Sequence, residues 1–265
     1  MSAPWVGPSP RWRLAGLAYV ALLRRELSAY FLSLSGYVIL AAVVFLLGLS
    51  FVEVLVAYNG ETLSAPLTEV FYGTMFFWLI LLLATPVITM RLFAHERATG
   101  TFETLMTTPV GDVAVVVAKF TAALVFYVVM WLPLLVCLGI LALYIPEGNP
   151  LDARTVASTF LGITLLGALY VALGCLASSL THSQVMAAML ALVLGVAVFM
   201  LGFLRSSAGE EQGWLGGVAN HISVLTHMED FARGVVDTRW VVFYVTLSGL
   251  CLFLTVKVIE SRRWR

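Results

Sequence analysis

Residues 155–204 read TVASTFLGITLLGALYVALGCLASSLTHSQVMAAMLALVLGVAVFMLGFL and contain no Asp, Glu, Lys or Arg. A helix needs about 20 mostly apolar residues to cross about 30 Å of hydrocarbon, so this stretch is long enough for two spans. The short polar turn Thr181-His182-Ser183 divides it, which predicts a helical hairpin with spans at 155–180 and 184–204. A membrane β-barrel does not fit, because its strands alternate apolar and polar residues over about ten positions.

The rest of the chain has a similar composition. Of its 265 residues, 61% are hydrophobic and 11% are charged, whereas ordinary soluble domains are about 45–50% apolar and about 25% charged. This composition argues against a soluble enzyme or binding module. Four further apolar stretches are long enough to span a membrane, at 35–57, 70–90, 120–144 and 240–259. The sequence therefore predicts an all-α polytopic membrane protein with six transmembrane helices in a single domain, residues 1–265.

The basic residues are unevenly distributed between the loops. Eleven of the 15 Lys and Arg residues lie before span one, between spans two and three, or around the end of span six. Cytoplasmic loops of membrane proteins carry an excess of Lys and Arg, which predicts that both termini are cytoplasmic. The 15 basic residues are balanced by 15 acidic ones, so bulk charge gives no reason to expect a nucleic-acid partner.

Residues 11–34 precede the first span and are predicted to form an interfacial helix on the inner membrane surface. Apolar residues recur there at helical spacing, at Leu14, Leu17, Ala18, Ala21 and Leu22. A plain juxtamembrane tail is the alternative. A cleaved signal peptide fits poorly, because Arg24-Arg25-Glu26 stands where small cleavage-site residues would be needed.

The inner loop between spans two and three is predicted to contain a short helix. Gly100 can end the preceding helix, Thr101 can cap a new one, and Pro109 stops it within about two turns. Glu103 in its first turn suits the helix dipole. An apolar ridge among charges would be formed by Phe102, Leu105 and Met106. Such a ridge indicates a docking surface for a cytoplasmic partner, with a helix that contacts only lipid as the alternative.

A second amphipathic stretch lies in the outer segment before span six. Its apolar stripe consists of Leu225, Met228 and Phe231, followed by Ala232. The polar residues largely off this stripe are His227, Glu229, Asp230 and Arg233, and we expect them to face water. The stretch is too short and too polar to span, so it is predicted to lie in the outer interface or to dip into it.

The sequence lacks the motifs of the common hydrolases. There is no phosphate-binding G-x-x-x-x-G-K-[ST] pattern, so the chain cannot hydrolyse ATP by that route, and there is no G-x-S-x-G or H-E-x-x-H. The three cysteines are far apart and show no metal-ligand spacing. We therefore predict that the chain is not an enzyme, and that it has no catalytic residue and no metal site.

Taken together, these residues resemble the membrane subunits of type-2 ABC exporters over nearly the whole chain. Arg24-Arg25-Glu26-Leu27 and Gly36-Tyr37 resemble the entry of the gliding-motility-type subgroup. The run from His95 to Leu105, followed by Pro109, is similar to the inner loop of the family, which carries the coupling helix that rests on the ATPase subunit. The amphipathic helix before span six also matches the family pattern.

The resemblance implies a permease in the bacterial inner membrane, bound to two ABC ATPase subunits and paired with a second copy or a paralogous permease. An accessory protein on the outer side is a further expected partner. The resemblance implies no cofactor in this chain, with ATP and Mg bound by the ATPase subunits. It assigns the contact with the ATPase to residues of the inner loop, namely Glu96, Arg97, Gly100, Thr101, Phe102, Glu103 and Leu105.

The resemblance also implies a transport path between the two permeases, lined by spans two and five. Candidate lining residues are Phe76, Phe77, Met186, Met189, Phe199 and Met200, each of which could instead pack a dimer interface. Two other functions fit the sequence. The first is a six-span channel or membrane anchor with no ATPase partner, and the second is an ATPase-linked permease that transmits force and transports nothing.

Overall fold

The computed structural model describes residues 11–58, 66–100, 111–144, 152–202 and 221–263. These ranges contain no β-strand, which agrees with the predicted all-α fold. The helices are α1 (Arg11–Phe31), α2 (Leu34–Tyr58), α3 (Leu67–Gly73), α4 (Met75–Thr89), α5 (Ala94–Ala98), α6 (Asp112–Trp131), α7 (Pro133–Tyr144), α8 (Ala153–Leu180), α9 (Gln184–Leu201), α10 (Val224–Ala232) and α11 (Thr238–Arg263).

Six helical segments within the described ranges are long and apolar enough to cross a membrane. They are Leu34–Val56, Met75–Ala98, Asp112–Ile140, Ala153–Leu180, Gln184–Leu201 and Thr238–Ser261. The six predicted spans are thereby confirmed, and the protein is a multi-pass membrane protein. The assignment of residues 1–265 to a single domain stays a prediction.

The alternating direction of the six segments gives the bundle two ends. We call the end with α1, α5 and the last turn of α11 the basal end, and the end with α3 and α10 the distal end. Hydrogen bonds join the elements at each end. At the basal end Arg97 Nη1 donates to the carbonyl oxygen of Ser179, and at the distal end Thr68 Oγ1 donates to that of Ala232 at 2.6 Å.

Helix α8 is the central helix of the bundle. It packs against α4, α6, α9, α10 and, most extensively, α11. Small residues allow this close approach, because a Cβ at Gly167 would lie 2.0 Å from Cε1 of Tyr127 and one at Gly174 would lie 2.1 Å from Oγ1 of Thr89. Of its most apolar stretch 61% is buried, compared with 17% for α9, so α9 is peripheral within this single chain.

The predicted span 70–90 is interrupted near its start. Thr74 has an extended backbone, with φ −66° and ψ 145°, and separates α3 from α4. Its Oγ1 donates to the carbonyl oxygen of Phe71 at 2.8 Å and lies 2.8 Å from Oγ of Ser50 in α2. Span three is also interrupted, at Leu132 between α6 and α7. The next residue is Pro133, whose ring nitrogen has no hydrogen to donate to the preceding turn.

The N-terminal helix α1 packs along α6. Tyr19 OH donates to Oγ1 of Thr121 at 3.2 Å, and the ring of Tyr30 stacks on that of Phe126 with 5.0 Å between centroids. Tyr30 OH also donates to the carbonyl oxygen of Ile88 at 2.9 Å. These contacts exclude a plain tail for this segment and make α1 a structural part of the basal end.

Candidate functional site

Helix α5 is a five-residue helix that follows α4 at the basal end. Its first turn is held by Ser178 of α8, whose Oγ accepts hydrogen bonds from the backbone N–H groups of Phe93 and Ala94, both at 3.1 Å. The same hydroxyl donates to the carbonyl oxygen of Met90 at 3.3 Å. The first N–H groups of a helix have no partner inside that helix, so a residue of α8 caps α5 from outside.

Glu96 lies on the buried side of α5, with 6% of the residue exposed. Its Oε1 contacts Lys119 Nζ of α6 at 2.9 Å and Arg25 Nη2 of α1 at 3.1 Å. Lys119, which is 3% exposed, also contacts Oε1 of Glu26 in α1 at 3.0 Å. We call Arg25, Glu26, Glu96 and Lys119 the basal charge cluster. It joins three helices and contains two positive and two negative side chains.

The basal charge cluster depends on mutual neutralisation. Taking an ion out of water costs several kcal/mol, and breaking a buried pair by removing one partner costs about 3–5 kcal/mol. Lys119 is the centre of the cluster, because its ammonium group lies between two carboxylates and also 5.6 Å from the ring centroid of Phe93. Its loss would leave Glu26 and Glu96 as two neighbouring negative charges with low exposure.

Two other residues of α5 contact the hairpin formed by α8 and α9. The Arg97 guanidinium donates to the carbonyl oxygen of Ser179, and Nδ1 of His95 lies 2.8 Å from Nε2 of Gln184. Helix α5 is therefore attached to α1 and α6 on one side and to α8 and α9 on the other. A displacement of α5 would act on four helices at once.

The structure describes three of the seven residues that the resemblance assigns to ATPase contact. Glu96 and Arg97 both make contacts within the chain, whereas Gly100 is exposed and has φ +73°, the left-handed conformation that commonly ends a helix. Thr101, Phe102, Glu103 and Leu105 lie outside the described residues. The Glu96 carboxylate points into the basal charge cluster, where its Oε1 contacts Lys119 and Arg25.

At the distal end, α10 is set into the bundle through its apolar stripe. Met228 and Phe231 are each 1% exposed, and Leu225 is partly buried against the core. The Phe231 ring lies directly against Gly162 of α8, where a Cβ would come within 2.8 Å of it. Phe231 therefore needs a glycine at position 162.

Polar contacts attach the two ends of α10 to neighbouring elements. The Arg233 guanidinium binds both carboxylate oxygens of Glu69, at 3.0 and 2.8 Å, and also Glu229 at 2.7 Å. Tyr72 OH donates to the carbonyl oxygen of Leu225 at 2.9 Å. Trp240 Nε1 of α11 donates to Asp230 at 3.0 Å. Helix α10 is thus fixed to α3, α8 and α11.

His227 does not lie on a water-facing side of α10, and that prediction is wrong. It is completely buried, its ring stacks on that of Trp240 at 3.8 Å, and its Nδ1 lies 3.2 Å from Tyr244 OH. Burial, followed by the nearby His221, lowers the pKa of His227 to about 4, so the ring is neutral at pH 7. The physical reason is that α11 covers the side of α10 next to the apolar stripe.

The six candidate pathway residues do not share one surface. Phe77 is fully buried in the core, with its ring 5.2 Å from that of Trp78 and 5.0 Å from that of Trp131. Phe199 lies 4.9 Å from Trp78, and Phe76 is partly buried. The three methionines lie exposed on α9, at Met186, Met189 and Met200. Among the six candidates, the exposed residues therefore all lie on α9.

Within the described ranges, no group of three or more His, Cys, Asp or Glu side chains is arranged to hold a metal ion. Residues 57–210 match a family model described as ABC-2 family transporter protein, and no curated protein matches the chain. The matched region covers more than half of the chain and includes spans two to five together with α5. The chain therefore belongs to the ABC-2 transporter family and is a permease subunit of an ABC transporter, a type of subunit that works with ABC ATPase partners.

Proposed function

We propose that the chain is the permease of an ATP-driven exporter, in which two separate ABC ATPase subunits drive substrate export or force transmission across the bacterial inner membrane. The observation that carries this proposal is the attachment of α5 to α1, α6, α8 and α9 at the basal end. A push on the segment that follows α5 would reach both halves of the bundle through these contacts.

The proposed orientation places the basal end and both termini in the cytoplasm, facing the ATPase subunits. It is supported by the sequence, in which 11 of the 15 basic residues lie before span one, between spans two and three, or around the end of span six. Cysteine labelling tests it. A label at Ser2 or Arg265 should be inaccessible from outside, and one at Asn149 or Glu211 should be accessible. External labelling at Arg265 would contradict the orientation.

The proposed assembly pairs this permease with a second copy or a paralogous permease. It is supported by α9, whose face with Met186, Met189 and Met200 is left exposed by the described residues. We also propose that the chain belongs to the gliding-motility-type subgroup. An accessory protein on the outer side is a further proposed partner. We further propose that the chain is not itself an enzyme and holds no cofactor, with ATP and Mg bound by the ATPase subunits.

The main alternative is a six-span channel or anchor without an ATPase. Membership of the ABC-2 family argues against it. Co-expression with a candidate ABC ATPase from the same genome tests both ideas. We expect the ATPase to co-purify with the tagged permease and its ATP hydrolysis to depend on the permease.

A charge-reversal pair tests the coupling segment. Glu103→Lys should lower the amount of co-purified ATPase about tenfold, the ratio for an interface residue worth ~1.4 kcal/mol. Glu260→Lys makes the same charge change at the basal end, where Glu260 contacts exposed Lys257 at 2.7 Å outside the basal charge cluster, and should have no such effect. If both variants co-purified as much ATPase as the wild type does, the assignment would be contradicted.

A further inference from the structure

The distal half of α11 carries a groove of about 560 Å³. Its mouth is polar and is lined by His221, Thr238 and Arg239. The remaining lining residues are Val242, Phe243, Thr246, Leu247 and Leu250. Apart from His221, these residues form two neighbouring rows that each repeat every four positions, so they lie on one face of α11. The groove is separate from the basal charge cluster, which lies at the other end of the bundle.

The groove has the length of a single membrane leaflet. Arg239 and Leu250 are 11 positions apart, which corresponds to ~17 Å along a helix. The hydrocarbon of one leaflet is ~15 Å thick, half of a typical bilayer core. Since α11 has the length and composition of a span, its distal half would lie in the distal leaflet, and the groove would run from the membrane surface towards the midplane.

The charge at the mouth of the groove is available for a ligand. Arg239 is exposed, and within the described part of the chain no carboxylate lies at ion-pair distance from its guanidinium. Arg233 near the same end differs, because Glu69 and Glu229 bind it. The His221 ring stands beside the mouth, with its centroid 5.6 Å from that of Trp240 and 5.9 Å from that of Phe243. A guanidinium with unused donors matches the geometry of a phosphate.

We propose that this groove binds one anionic phospholipid of the distal leaflet. The lipid phosphate would contact Arg239, and one acyl chain would lie along Val242, Leu247 and Leu250. The groove has a cation at the membrane surface and an apolar wall of one leaflet's depth below it. A phospholipid has the matching arrangement, with a charged headgroup above its acyl chains. This site requires neither the ATPase partnership nor a particular orientation of the bundle.

Native mass spectrometry of the full chain in detergent, titrated with phosphatidylglycerol, tests the proposal. We expect one molecule of phosphatidylglycerol per chain to be retained in preference to phosphatidylcholine. Arg239→Gln should weaken that binding about fivefold, the ratio that corresponds to ~1 kcal/mol for one basic residue at a membrane surface. Arg154→Gln removes an exposed cation at the start of α8, at the same end but outside the groove, and should leave binding unchanged.

A second variant separates the acyl chain from the headgroup. Leu247→Trp fills the groove while keeping Arg239. It should abolish retention of phosphatidylglycerol in a protein that remains monodisperse. Free glycerol phosphate should not bind. The proposal is overturned if Arg154→Gln weakens binding as much as Arg239→Gln, or if Leu247→Trp binds normally. A Leu250→Cys variant that forms a disulfide between two copies in the membrane would show that a second chain covers the groove, and would also overturn it.

Discussion

The basal and distal ends each hold a short helix between the spans, but by different forces. At the basal end α5 is fixed by ion pairs and hydrogen bonds, with Glu96 between Lys119 and Arg25. At the distal end α10 is fixed mainly by buried apolar and aromatic side chains, with Met228, Phe231 and His227 inside the bundle. Polar groups that separate regain hydrogen bonds with water, which offsets part of the free energy of their contact. Apolar area that becomes exposed costs free energy with no such compensation. The comparison separates a largely polar attachment, at α5, from a largely apolar one, at α10.

The largest effect is expected at the centre of the basal charge cluster. Lys119→Met should lower the free energy of unfolding by about 3–5 kcal/mol, because Glu26 and Glu96 would remain buried without their shared cation. Thermal unfolding in detergent can be followed by the reaction of buried Cys175 with a thiol dye.

A triple variant is the control for this prediction. Lys119→Met combined with Glu26→Gln and Glu96→Gln removes all three buried charges, and should recover most of the lost stability. If the triple variant were as unstable as the single one, packing rather than charge would hold α5. The contrast between the two ends would then disappear.

The next effect tests the apolar attachment of α10. Phe231→Ala should lower the free energy of unfolding by about 3 kcal/mol, because the ring is buried against Gly162. Leu225→Ala, at a partly buried position of the same stripe, should cost less. Added salt should not change the loss at Phe231. A marked salt dependence would show that the Phe231 contact is coupled to the ion pairs of Arg233 at the end of the same helix.

The pH dependence should also distinguish the two ends. The pKa of His227 is about 4 in the folded protein and near its usual 6.5 when unfolded, so the unfolded state binds the proton first. Stability should therefore be unaffected above pH 6.5 and should fall as the pH is lowered from 6.5 towards 4. The difference between the wild type and His227→Gln, measured from pH 7.5 to pH 5, isolates this contribution. A constant difference over that range would contradict the burial of His227.

The smallest effect uses one matched pair of hydrogen bonds. Tyr30 at the basal end and Tyr72 at the distal end each donate to a backbone carbonyl oxygen at 2.9 Å. Tyr30→Phe and Tyr72→Phe should each lower the free energy of unfolding by about 1 kcal/mol. Only Tyr30→Phe should also reduce ATPase stimulation in the assembled complex, since α1 shares the basal charge cluster with α5. Equal reductions would mean that the two ends move together.

The sequence predicted the spans and the apolar stripe of α10, because both depend on local periodicity. It placed Glu26, Glu96 and Lys119 on one side of the membrane but did not predict their contact, which joins positions 93 and 23 residues apart. One signal was present. Lys119 is a single cation in the long apolar run that becomes α6, and such a residue requires a partner.

Two other features depend on tertiary contacts that no local pattern contains. Thr74 is not a helix breaker by itself, and its extended backbone occurs where its hydroxyl meets Ser50 of α2. His227 lies beside the apolar stripe of α10, so the helical period alone assigned it to the polar side. Its burial follows from the position of α11, which places Trp240 and Tyr244 against the ring.

The central position of α8 has a consequence for biosynthesis. The ribosome delivers α4 and α6 before α8, but α9, α10 and α11 follow it, and α11 forms its most extensive contact. Gly162 meets its partner only after residue 231 has been made. Assembly of the bundle is therefore completed after synthesis of the last span, and a nascent chain that ends before Thr238 leaves the broadest face of its central helix without its partner.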